Sequence, residues 1–135
     1  MRSIKTGFRA FLDANAATAG APVFIGRAEQ NCPIPFIVMQ RLRTEPYDTL
    51  DAPGDDSLRA ETFRVTTYAH TDQAAHGIAD AVAEVLDDYE GAMGSHRRCE
   101  AAWIEDESGD YEPPEYVDGL AVADLVVTIQ HSPAA

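Results

Sequence analysis

The stretch RAETFRVTTYAHTDQAAHGIADAVAEVL, residues 59–86, decides the fold. Its first part alternates in polarity as a half-buried strand does: one face carries Phe63, Val65, Thr67 and Ala69, and the other carries Arg64, Thr66 and Tyr68. After residues 70–72, apolar residues recur at three- and four-residue steps: Ala75, Ile78, Val82, Leu86 and Tyr89. This change of period predicts a strand that feeds a helix packed back on its own sheet. The junction carries no nucleophile, metal cluster or phosphate loop, so the segment is typical of a scaffold.

Composition favours a soluble globular protein. With 135 residues, of which 45% are apolar, the chain is long enough to bury one core, and we predict one domain over residues 1–135. No apolar run approaches the roughly 20 residues that span a bilayer, and the N-terminal MRSIK is not a secretory signal. We therefore expect no contact with a membrane.

The charge balance argues against nucleic acid as a tightly bound partner. The net charge is −13, from 23 acidic and 10 basic residues, and every basic residue except Lys5 is an arginine. Such a surface repels a phosphate backbone and argues against sequence-independent DNA binding. It also opposes self-association unless apolar or arginine-containing patches overcome the repulsion.

The flanking patterns complete the fold prediction. A helix opens at Ser3, which is a plausible N-cap, and places Ile4, Phe8, Phe11 and Leu12 on one stripe. Further strands are predicted at 23–25, 36–43, 98–105 and 120–130, with long polar loops at 44–58 and 106–119. The order helix-strand-strand-strand-helix-strand-strand predicts an α+β two-layer sandwich. Its mostly antiparallel sheet would have four or five strands, with both helices on one face.

The sheet face away from the helices is predicted to be a subunit interface. It would be only partly covered, and monomers rarely leave apolar patches open. The candidate interface residues are Arg41, Arg43, Arg64, Thr66, Tyr68, Val122 and Val126. Loop 44–58 is either a solvated hairpin tip or an arm that orders on assembly, with Tyr47 and Leu50 as candidate contacts.

Few residues suggest chemistry. His70, Asp72 and His76 are the one ligand-like cluster, but helix capping and solvated positions explain them better than a metal does. The two cysteines, Cys32 and Cys99, do not make a disulfide framework. A nucleophilic Cys99 beside His96 is the alternative, because the run His96-Arg97-Arg98 would lower the pKa of its thiol, yet no third, orienting group is apparent. We therefore predict no enzyme, no metal and no cofactor.

Three segments together carry a family resemblance: PIPFIVMQRL (33–42), residues 59–86, and YEPPEYVDGLAVADLVVTI (111–129). With the N-terminal helix, they resemble the small tail-completion and tail-terminator proteins of long-tailed bacteriophages and related prophages. The resemblance covers nearly the whole chain and rests on a pattern of strand, helix and turn. It implies a structural virion protein that forms a ring, commonly hexameric, capping the tail tube and joining it to the head connector in the neck.

The resemblance also implies partners and a location. The partners are further copies of the chain, the tail tube protein and a head–tail connector or stopper protein. The location is the tail or neck of the virion, with the host cytoplasm during virion assembly. The low lysine content and strong negative charge depart from a simple match, and they put basic contacts to neighbouring rings in doubt.

The acidic residues suggest how such a ring would treat DNA. If they line the lumen, DNA passes through without specific binding because like charges repel. The candidate lumen residues are Asp55, Asp56, Glu105, Asp106 and Glu107. Two alternatives stay open: a head-closure, stopper or minor tail protein of the same particle, and a small metal-binding or enzymatic domain using the histidine cluster or Cys99.

Overall fold

A computed structural model of the protein describes residues 3–14, 21–27, 34–47, 58–94, 97–108 and 121–133. In these ranges two helices and six strands follow one another: α1 (Lys5–Ala14), β1 (Val23–Ile25), β2 (Phe36–Tyr47), β3 (Leu58–Ala69), α2 (Asp72–Leu86), β4 (Gly91–Met93), β5 (Arg97–Ser108) and β6 (Ala121–Pro133). The strands form one sheet in the order β1-β2-β3-β6-β5-β4. β1 pairs in parallel with β2, and the other neighbours pair antiparallel.

The predicted two-layer sandwich is wrong. In the described ranges the sheet has six strands, it is mixed, and it curls into a half-barrel accompanied by two helices. β4 escaped prediction because its three residues, Gly91–Met93, are too short to show alternation. β2 and β5 also run further than predicted, to Tyr47 and Ser108, into segments whose sequence predicts polar loops.

The strand-to-helix unit forms as the sequence predicts, except that α2 ends at Leu86, before the last predicted helix position, Tyr89. β3 ends at Ala69, and the hydroxyl of Thr71 accepts a hydrogen bond of 3.1 Å from the amide of Ala74, which caps α2. The side chains that α2 turns toward the sheet are buried: Ala75, Ile78, Ala79, Val82 and Leu86. Burial of this stripe, at about 25 cal/mol per Å² of apolar area, stabilises the helix far more than its propensity does.

Helix α1 covers the neighbouring part of the same face. Phe8 and Leu12 are buried, and the ring of Phe8 lies 5.1 Å from that of Phe63 on β3. The helix approaches the end of β4 backbone to backbone, so closely that a methyl group built on Gly7 would collide with the carbonyl oxygen of Met93. Glycine is therefore required at this crossing.

Both helices lie on one face of the sheet, which we call the helix face, and the opposite face is the far face. The main core lies between the helix face and the two helices, and its strand residues include Ile37, Met39, Phe63, Val65, Leu125, Val127 and Ile129. The register of β2 shifts between Arg41 and Arg43, and that of β5 shifts at Cys99/Ala101 and at Ile104/Asp106. Each shift is a bulge that changes which face the following residues occupy.

Candidate interaction surface

The far face begins with an aromatic cluster. Phe36 on β2 stacks on Tyr68 on β3 with ring centroids 4.8 Å apart and an interplanar angle of 22°. Val38 is buried beside them, and the partly buried residues packed against this cluster are Phe24, Ile34 and Val122. Offset stacking of this kind adds roughly 0.5–1.5 kcal/mol beyond the area buried. This aromatic cluster packs the part of the far face that lies nearest to β1.

Hydrogen bonds between β3 and β6 fill the middle of the far face. The hydroxyls of Thr62 and Thr128 are 2.9 Å apart, and the hydroxyl of Thr66 donates to a carboxylate oxygen of Asp124 at 2.9 Å. The other carboxylate oxygen of Asp124 lies 3.1 Å from Nε of Arg64. Asp124 is therefore a buried charge held by a hydroxyl and a guanidinium, as a buried carboxylate requires.

An ion pair spans the far face. Nη2 of Arg43, on β2, lies 3.1 and 3.0 Å from the two carboxylate oxygens of Glu105, on β5. In register, Arg43 faces Thr62, which faces Thr128, which faces Trp103. The ion pair therefore passes over the threonine pair.

The far face holds six of the seven candidate interface residues, but it does not leave all of them open. Arg43, Arg64, Val122 and Val126 are intermediate or exposed, whereas Thr66 and Tyr68 are 4% and 2% exposed. Arg41 lies instead on the helix face, where Nη1 is 3.7 Å from Glu61. The bulge between Arg41 and Arg43 explains the difference, because simple alternation would place both on one face.

The helix face carries a buried charged network that the sequence did not reveal. Nε2 of His131 lies 2.8 Å from Oε1 of Glu61, and Nε of Arg97 donates to Nδ1 of His131 at 2.9 Å. These three side chains are at most 2% exposed. A guanidinium only donates, so Nδ1 accepts and the proton of the neutral imidazole sits on Nε2, facing the carboxylate.

Helix α1 is tied to the same network at its N-terminus. The amide of Ile4 and the hydroxyl of Ser3 donate to the two carboxylate oxygens of Glu61, at 2.8 and 2.9 Å. Burial raises the pKa of this carboxyl, but the hydrogen bonds from His131, Ile4 and Ser3 outweigh it, and the pKa of Glu61 lies below its ordinary value. The serine bonds the carboxylate and not the imidazole, unlike the nucleophile of a hydrolytic triad.

The other groups singled out for chemistry are separated or shielded. Burial raises the pKa of the Cys99 thiol to about 11, and its sulfur lies 3.4 Å from the carbonyl oxygen of Tyr89. An activated nucleophilic cysteine has a lowered pKa, so Cys99 has the opposite character. His70, Asp72 and His76 are exposed around the start of α2. Among the residues that the structure describes, no group of three or more His, Cys, Asp and Glu side chains is placed to hold a metal ion.

The predicted loop and lumen residues are only partly within the described chain. Glu105 is exposed on β5, and Asp106 and Glu107 pair with Val126 and Leu125 of β6. Tyr47 ends β2, where it pairs with Leu58 of β3. Leu50, Asp55 and Asp56 lie outside the described residues.

Sequence reasoning missed the buried charges, although a signal was present. Glu61 is in phase with Phe63 and Val65, so it falls on the core face of its strand. An acidic residue at a core position must have a partner. The partner, His131, is 70 residues away, and no local pattern points to it.

In the ranges that the structure describes, neither helix has the length and apolar character to cross a membrane.

Comparison with known proteins identifies the family. The family model of tail completion protein gp17 matches residues 8–129. No curated protein matches the chain in sequence. In fold, the chain is similar to one in the virion of a native gene transfer agent particle, with a TM-score of 0.61, 15% identity, and coverage of 96% of this chain and 92% of that one. A second solved structure has a TM-score of 0.48, 16% identity, and coverage of 97% and 90%.

The family match runs from Phe8 in α1 to Ile129 in β6 and so takes in the whole sheet except the end of its last strand. It confirms the resemblance that the strand, helix and turn pattern indicated. The chain therefore belongs to the tail completion protein gp17 family and is a structural tail protein.

Proposed function

We propose that this protein is a tail terminator. In this proposal the chain acts as one domain, and copies of it associate into a ring, most simply of six subunits, that caps the tail tube and joins the tail to the head connector. The observation that carries the proposal is the match to the tail completion family over residues 8–129.

The proposal also assigns partners and a place. The ring binds the tail tube protein on one side and a connector or stopper protein on the other, and it lies in the neck of the virion after assembly in the host cytoplasm. The virion of a gene transfer agent contains a chain of similar fold, which supports a place in a particle of that kind.

The charge of the chain supports a passive role toward DNA. A net charge of −13 repels the phosphate backbone, so DNA that passes through the ring is not bound. We propose that the acidic residues around 55–56 and 105–107 line the lumen. A carboxylate-lined lumen would let the genome slide without sticking.

Mass and shape in solution test the proposal. The purified chain is measured by light scattering, alone and with isolated tail tubes, and the same samples are imaged by negative stain. We expect rings, either free or on one end of the tube. A protein that binds only portal complexes would be a head-closure or stopper protein, and that result would overturn the assignment as a terminator.

A further inference from the structure

Each of the outer edges of β2 and β5 has a stretch without a neighbouring strand in the described part of the chain, and the two stretches lie at the same level of the sheet. β1 pairs only with residues 37–39 of β2, and β4 pairs only with residues 97–99 of β5. In the described part of the chain, no strand lies outside residues 40–47 or 100–108. The register places Gln40 level with Asp106 and Thr44 level with Ala102. Two copies set side by side without a shift would bring residues 40–45 of one copy against residues 101–106 of the next, with β1 beyond one end of this contact and the neighbour's β4 beyond the other.

The strand directions suit such a contact. Three antiparallel steps separate β2 from β5, so the two strands run in opposite directions in one chain. A second copy in the same orientation therefore presents its β5 antiparallel to β2. The bulges in both strands and Pro46 limit the backbone ladder that can form, so side chains must supply most of the contact.

Charge favours unlike edges over like edges. The sequence of residues 40–47 carries two arginines and one glutamate, whereas residues 100–108 carry four acidic residues and no basic one. Two β5 edges brought together would repel each other. The β2 edge carries no excess of negative charge, although each of its arginines already lies near a carboxylate of its own chain, so it does not repel a β5 edge. The contact is then heterologous, which is the kind that closes rings.

Exposed apolar side chains mark both edges. The exposed large hydrophobic side chains of the described residues are Ile25, Leu42 and Trp103, at 38%, 44% and 38%. Leu42 adjoins the bulge of β2, and Trp103 lies on β5 at the level of Arg43. Tryptophan and arginine are the residues most enriched where binding energy concentrates.

We propose that the contact between neighbouring subunits of the ring joins the outer edge of β2 in one copy to the outer edge of β5 in the next. This proposal rests on the proposed ring. Leu42 of one copy lies against Trp103 of its neighbour, beside Arg43 and Glu105. The partner at this surface is thus a second copy of this chain, and the edges of the sheet, not its far face, form the contact.

Cysteine cross-linking between copies tests the proposal. In a Cys32→Ser background, one chain carries Leu42→Cys and another carries Trp103→Cys, and a short bismaleimide is added under assembly conditions. We expect cross-linked dimers only in the mixture of the two chains. Cross-linking of the Leu42→Cys chain with itself would show a contact between like edges and would overturn the proposal. Circular dichroism and thermal melting of each variant confirm that it folds.

Two controls separate this contact from the ring itself. The background chain without an added cysteine reports any reaction of Cys99. Trp103 is the one tryptophan of the chain, so its emission should move to shorter wavelength when chains with Trp103 assemble. Rings that form without cross-links and without this shift would overturn the contact and leave the ring standing. The absence of any assembly, alone or on tail tubes, would overturn both.

Discussion

The guanidinium of Arg43 lies 3.0 Å from the carboxylate of Glu105, although two strands separate their own strands in the sheet. Three strand spacings in a flat sheet amount to roughly 14 Å, and the side chains would stand upright. The contact therefore requires the sheet to curl toward its far face, as a half-barrel does. The short Arg43–Glu105 distance is therefore direct evidence of the curvature of the sheet.

The Arg43–Glu105 pair should contribute little to stability. The two side chains are 51% and 30% exposed, and such pairs contribute about 1 kcal/mol or less. We expect Arg43→Gln to lower the free energy of unfolding by less than about 1 kcal/mol in urea, with a smaller effect at high salt. Loss of a cooperative transition would contradict this view and would make the pair essential to the curled sheet.

Glu61 should make stability depend on pH. Its pKa is lower in the folded protein than the ordinary 4.5, so its contribution is fully present above 4.5 and is lost as the pH falls through the folded value. Glu61→Gln breaks a buried charged network and should cost about 3 kcal/mol at pH 7. It should also flatten the fall in stability below pH 4.5, as measured by urea unfolding across pH. An unchanged slope would show that the acid response arises elsewhere.

The crossing of α1 with β4 predicts a matched pair of glycine variants. Gly7→Ala places a methyl group against the carbonyl oxygen of Met93, closer than van der Waals contact allows, and such overpacking costs roughly 1–3 kcal/mol. Gly77 in α2 has nothing within 4 Å of its added methyl group, so Gly77→Ala should stabilise by roughly 0.5–1 kcal/mol. Thermal melting measures both. Equal shifts in the two variants would contradict the close approach of α1.

Neutral substitution of the acidic residues tests the lumen. A variant with Asp55 and Asp56 changed to Asn should slow DNA ejection, because DNA would no longer be repelled from the wall. A variant with Asp80 changed to Asn and Glu84 changed to Gln removes two charges from the exposed side of α2, away from the proposed lumen, so it serves as the control. DNA ejection at the unaltered rate in the neutralised variant would show that these residues do not line the lumen.

Local patterns predicted the elements that depend on local chemistry. The apolar steps of α2 and its threonine cap lie close together in sequence and appear as expected. The bulge between Arg41 and Arg43 is not visible in the sequence pattern. Residues two apart in a strand lie on the same face unless an extra residue intervenes, and the pattern does not show that extra residue. The curl of the sheet and the partner of Glu61 depend on contacts between distant strands. Those contacts exist only in the folded chain.

The central claim is that this chain ends the tail, and the measurement that tests it most directly is binding to isolated components of the particle. The labelled chain is mixed separately with purified tail tubes and with portal-bearing heads, and the complexes are imaged by electron microscopy. We predict a ring of label at one end of the tube and none on heads that lack a tail. Label on the portal with bare tube ends would contradict the assignment.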